Sequence, residues 1–70
     1  MNLQEYRVKL GWSKTKLARE AGIRVATVTD AERGKNIYRA TAGKIANALS
    51  QGLGYEITYK DIDGLSFADD

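Results

Sequence analysis

The stretch that decides the fold is Lys14-Thr-Lys-Leu-Ala-Arg-Glu-Ala-Gly-Ile-Arg-Val-Ala-Thr-Val-Thr-Asp-Ala-Glu-Arg33. Leu17, Ala18 and Ala21 fall on one face of a helix that Ser13 caps and Gly22 stops. Val28 and Ala31 fall on the inner face of the next helix, which ends at Gly34, a residue suited to the left-handed backbone of a helix terminus. Two short helices joined this closely cross at a steep angle, which requires a tight turn and small residues at the crossing. Ala18 is small where the two helices approach, and Gly22 adopts positive φ at little steric cost. Ile23 plugs the corner, and Val28 packs inward against Leu17.

The flanks keep the helical period. Leu3, Tyr6 and Leu10 share a face that Gly11 terminates, and Ala42, Ile45, Ala46, Ala48 and Leu49 mark a later helix. Thr58-Tyr-Lys-Asp61 reads as a capping box with Asp in place of Glu, opening a short fifth helix through Ile62 to Gly64. Tyr55, Ile57 and Tyr59 also alternate with polar residues as an edge strand would, although the helix is the favoured reading. Phe67 to Asp70 reads as a frayed acidic tail. The expected architecture is all-α and compact, with five helices over residues 1–64 and an acidic C-terminal tail over 65–70.

Composition narrows the function. The chain of 70 residues is the size of one small domain. It has no cysteine and no histidine, which removes disulfides, thiolate metal sites, the commonest metal ligand and the commonest general base. No paired-carboxylate or glycine-loop motif replaces them, so neither an enzyme nor a cofactor or metal is expected. No apolar run is long enough for a membrane span. Met1-Asn2-Leu3-Gln4-Glu5 lacks the basic-then-apolar pattern of a secretory leader, so a cytoplasmic location is expected. The net charge of +2 hides an asymmetry: residues 1–50 carry ten Lys/Arg against four Asp/Glu, and residues 51–70 carry one against five. A basic body with an acidic end suits a polyanionic partner met by the first fifty residues.

The Leu17-Ala18, Gly22-Ile23 and Glu32-Arg33-Gly34-Lys35 elements, at this spacing, resemble the helix-turn-helix of the phage repressor/Cro family, also called the XRE family. The resemblance covers residues 3 to 62, and Ile45-Ala-Asn-Ala-Leu49 fits that family's fourth helix. It implies a lambda-repressor-like domain from a prokaryote or phage that binds operator DNA as a transcriptional regulator. Its recognition helix would be the third, with Val25, Ala26, Thr29 and Asp30 on the outer face. In a major groove, Val and Ala meet thymine methyls, Thr does so or hydrogen-bonds, and Asp accepts from cytosine N4. Lys14 is a further candidate for a base edge. Ser13, at the N-terminus of the second helix, would meet a phosphate. Arg24, Thr27, Arg33, Lys35, Asn36 and Arg39 are the other backbone-contact candidates, the last three placed in the loop after the third helix. Asp30 has a competing reading as an ion-pair partner of Arg33 or Arg24. The resemblance also implies a structural ion pair between Arg7 and Glu32.

The chain departs from the family pattern at several positions. Lys14 stands where glutamine is common, and Arg24 replaces the usual Ser/Thr cap of the third helix. Ala31 is smaller than usual, and Trp12 is the residue expected to fill the space. Ser50 to Ile57 is longer than the usual connection. Reading a palindromic operator calls for a homodimer, for which Tyr55, Tyr59, Leu65 and Phe67 are the interface candidates. The competing reading is an antitoxin or other protein-interaction module, in which the same apolar residues meet a second protein.

Overall fold

The computed structural model describes residues 1–69. Helix α1 (Leu3–Lys9) starts from a capping box, in which the Glu5 N–H donates to Asn2 Oδ1 and the Asn2 N–H donates to Glu5 Oε1, both at 2.8 Å. Helix α2 (Lys14–Ala21) starts at Ser13, whose Oγ accepts the Lys16 N–H at 3.0 Å. Gly22 ends α2 with φ 69° and ψ 36°, the left-handed conformation that the sharp turn into α3 requires. Helix α3 (Val25–Glu32) has Arg24 at its N-cap without a side-chain hydrogen bond, because a guanidinium has no acceptor to offer. Helix α4 (Arg39–Leu53) runs 15 residues and ends at Gly54.

Helix α2 packs on both α3 and α4, and α3 also meets α1. Leu3, Leu17, Val28, Ile45 and Leu49 are fully buried where these helices converge, with Ala18 and Ala42 filling the close approaches. Each such large apolar side chain contributes on the order of 1.5–3 kcal/mol. Ile57 and Ile62 close the core from the C-terminal side.

The fold is an all-α helix-turn-helix domain, but among the described residues it has four α-helices rather than five. The capping box at Thr58 forms, with the Thr58 N–H donating to Asp61 Oδ2 at 2.8 Å. It opens only a single 3-10 turn, Tyr59–Asp61. Ile62 then becomes extended, with φ −96° and ψ 112°, so that its side chain enters the core. The Asp63 N–H donates to the Met1 carbonyl at 3.0 Å, in a bridge beside Asn2. Tertiary pairing there takes the backbone groups that a fifth helix would have used.

The expectation of a frayed end from Phe67 is also corrected. Strand β1 (Asn36–Ile37) pairs in parallel with β2 (Ser66–Phe67), and the Ala68 N–H donates to the Ile37 carbonyl at 2.9 Å. Phe67 meets Tyr59 edge to face at 5.4 Å between ring centroids, and Leu65 and Phe67 pack against the core. Apolar side chains at alternate positions anchor the segment, and Asp70 lies outside the described residues. The first half of the 50–57 stretch is helix, since α4 runs to Leu53, which leaves a short connection from Gly54 to Ile57. Ser50 Oγ donates to the Ala46 carbonyl at 2.8 Å and accepts the Ile57 N–H at 2.9 Å, fastening the end of α4 to the chain that follows. Trp12 is half-buried with its six-membered ring against Gly52 of α4.

Candidate nucleic-acid interface

Helix α3 buries Val28 and Ala31 and turns the opposite side outward. Val25 is 41% exposed, a β-branched apolar side chain left in water on the first turn. Ala26 is exposed beside it, and Thr29 and Asp30 are half-buried one turn further on. Thr27 is half-buried at the edge of this face, and Arg24 is exposed at its start. At the N-terminus of α2, Ser13 is exposed and Lys14 half-buried. Because Ser13 caps only the Lys16 N–H, the Lys14 and Thr15 N–H groups remain for an acceptor outside the helix, at its positive dipole end.

The turn after α3 brings further polar groups to this side. Arg33 caps the C-terminus of α3 and is exposed. Gly34 reverses the chain, so that the Lys35 N–H donates to the Asp30 carbonyl at 2.9 Å and Lys35 Nζ lies 3.9 Å from Asp30 Oδ1. The ion-pair partner of Asp30 is therefore Lys35, not Arg33 or Arg24. Asn36 is exposed on β1. Arg39 is not in the loop but at the first position of α4, and it is engaged. Its N–H donates to Asp69 Oδ1 at 3.0 Å, its guanidinium lies 3.6 Å from the same oxygen, and it also donates to the Asp69 carbonyl. The guanidinium stacks 4.5 Å from the Phe67 ring centroid.

A family profile described as helix-turn-helix matches residues 3–60, from the first residue of α1 into the 3-10 turn. The chain belongs to the helix-turn-helix family. No curated protein and no solved structure matches it. Domains of this helix-turn-helix family are DNA-binding regulators and generally not enzymes. Among the described residues no group of three or more acidic or metal-ligating side chains converges, and no helix is long and apolar enough to cross a membrane.

Within this helix-turn-helix domain the scaffold beneath α3 is polar at one point. Arg7 Nε lies 2.7 Å from Glu32 Oε2, and Arg7 Nη1 donates to the Trp12 carbonyl at 2.9 Å. A cleft of about 260 Å³ separates α3 from the start of α4, with Thr27 and Asp30 on one wall and Asn36, Tyr38 and Thr41 on the other. Tyr38, at the N-cap of α4, is 63% exposed, and neither it nor Thr41 stood out in the sequence. The available signal was position: Tyr38 directly precedes Arg39 and Thr41 lies two residues after it. Of the four apolar interface candidates, Tyr55 is 52% exposed, whereas Tyr59, Leu65 and Phe67 are half-buried against the chain's own core.

Proposed function

We propose that this protein is a sequence-specific transcriptional regulator that inserts α3 into the major groove of operator DNA, binds a palindromic site as a homodimer, and represses from it. The observation that carries the reading is the outer face of α3. Val25 and Ala26 leave apolar side chains exposed at the start of α3, beside a half-buried Thr29 and Asp30, and this set is suited to base edges and thymine methyls. Val25, Ala26, Thr29, Asp30 and Lys14 read bases. Ser13, Arg24, Thr27, Arg33, Lys35, Asn36 and Arg39 hold phosphates around them.

Size supports dimerisation. The molecule measures 29 × 21 × 19 Å, so one copy covers a single half-site. Two copies on successive major grooves, about 34 Å apart, multiply the contacts and match a palindrome. The surface around Tyr55, with the outer edges of Tyr59, Leu65 and Phe67, lies in the acidic segment and is the proposed contact.

Selection of bound duplexes from a random library tests this reading. It predicts an inverted repeat with half-sites about one helical turn apart. Recovery of no enriched sequence would remove the regulator reading. Recovery of a single asymmetric site by a protein that sediments as a monomer would remove the dimer.

A further inference from the structure

The C-terminal segment does something that neither packing nor the helix-turn-helix geometry requires. Tyr38 gives α4 no side-chain cap, and the cap comes instead from Asp69, 30 positions beyond Arg39. The Asp69 carboxylate sits on the first N–H of α4 and on the Arg39 guanidinium, an arrangement that suits any small oxyanion. Ala68, the preceding residue, lines the same cleft as Thr27 and Asp30 of α3. The carboxylate is thus held at the border of the face assigned to DNA.

We infer that Asp69 is a built-in competitor for DNA, occupying on Arg39 and the α4 N-terminus the place that a backbone phosphate takes. The inference rests on the DNA-binding reading and adds an autoinhibitory contact to it. Two features make the contact exchangeable. The Arg39 and Asp69 side chains are 38% and 43% exposed, so the pair is solvated and weak. The anchor is separate from the competitor, because Leu65, Phe67 and the β1–β2 pairing hold the segment while the Asp69 side chain lies beyond them. A phosphate displaces the carboxylate without unfolding the anchor. Affinity is then set by the difference between two anions for one cationic site, and a ligand or partner that captured the acidic end would raise it.

The test compares binding of a labelled mixed-sequence duplex at low salt by the full chain and by its Asp69→Asn variant, with thermal melting run in parallel. The amide retains an acceptor for the helix N–H but loses the charge. Asp69→Asn is expected to bind roughly two- to fivefold tighter, the worth of one exposed ion pair. Asp63→Asn makes the same change in net charge at a residue paired with the chain's N-terminal amine, and is expected to gain less. In an Arg39→Ala background the gain from Asp69→Asn should shrink, because only the α4 N–H remains for the two anions to compete over. Equal gains from Asp63→Asn and Asp69→Asn would reduce the effect to net charge and overturn the inference. Unchanged or weaker binding by Asp69→Asn with a lowered melting temperature would also overturn it, leaving Asp69 a helix cap alone. If neither the parent chain nor any variant binds duplex, the regulator reading falls, and the competitor with it.

Discussion

Arg7 and Glu32 are joined at 2.7 Å, with side chains only 12% and 8% exposed. One guanidinium thereby ties α1 to the end of α3 and, through the Trp12 carbonyl, to the turn before α2. Helix α3 is held in place from behind by a charge pair largely out of water. Removing one partner leaves the other buried and unpaired. Arg7→Ala is expected to cost about 3 kcal/mol and to lower Tm by roughly 10–20 °C. The double variant Arg7→Met with Glu32→Leu should recover most of that loss in calorimetry. A loss under about 1 kcal/mol for Arg7→Ala would mean that the pair behaves as a surface salt bridge.

Two glycines within α4 should respond in opposite directions to alanine. A Cβ at Gly43 meets nothing within 4 Å, so Gly43→Ala should stabilise by about 1 kcal/mol through helix propensity. A Cβ at Gly52 would lie 2.7 Å from Trp12 Cζ2 and 3.0 Å from Leu10 Cδ1. Gly52→Ala should therefore destabilise by about 1–2 kcal/mol, because overpacking outweighs propensity. The sign should reverse in a Trp12→Ala background. Stabilisation by Gly52→Ala alone in urea titration would show that the indole moves aside freely.

Tyr6 sets an alkaline limit. Burial, reinforced by the neighbouring Tyr55, Asp61 and Asp63 charges, pushes its phenol above the ordinary value of 10.0, and its hydroxyl lies 3.5 Å from the Asp61 carbonyl. The folded state binds this proton more tightly than the unfolded chain. Its contribution is complete below the unfolded pKa and is lost as pH rises through the folded one. Stability measured from pH 9 upward should fall, and Tyr6→Phe should flatten that limb. An unchanged slope in Tyr6→Phe would assign the limb to another group.

Lys35 is expected to act on affinity without selecting sequence. Its ammonium is solvated and only loosely paired with Asp30 at 3.9 Å. Lys35→Ala should weaken binding to all duplexes alike and lower the slope of log K against log salt by about 0.9, one phosphate contact. Weakening confined to one base pair in a competition series would make Lys35 a base reader.

The helix-turn-helix was legible because its signals are local. Leu17, Ala18, Gly22 and Val28 lie within a dozen positions, and helical period and turn sterics fix their roles without reference to the rest of the chain. The C-terminal third was not legible in this way. Two-residue strands at Asn36–Ile37 and Ser66–Phe67 carry no period, and their pairing spans most of the second half of the chain. The capping box at Thr58 was correctly read as local chemistry, but the core's demand for Ile62 stopped the helix that it opened. Arg39 reads from the sequence as a loop residue facing phosphate, and its pairing with Asp69, 30 positions away, has no local signal. Val25 and Ala26 were legible as exposed, whereas the half-burial of Thr29 and Asp30 was not, and the Asp30–Lys35 pair depended on how Gly34 turned the chain.

The central claim is that the outer face of α3 reads bases, and the most direct measurement is a comparison of the duplexes selected by the parent chain with those selected by Thr29→Ala and Val25→Ala. Each substitution is predicted to change preference at one or two base pairs per half-site, by about 1–3 kcal/mol, while half-site spacing and affinity for other sequences stay the same. Identical selected sequences from all three proteins would contradict the claim and place the reading surface elsewhere on the molecule.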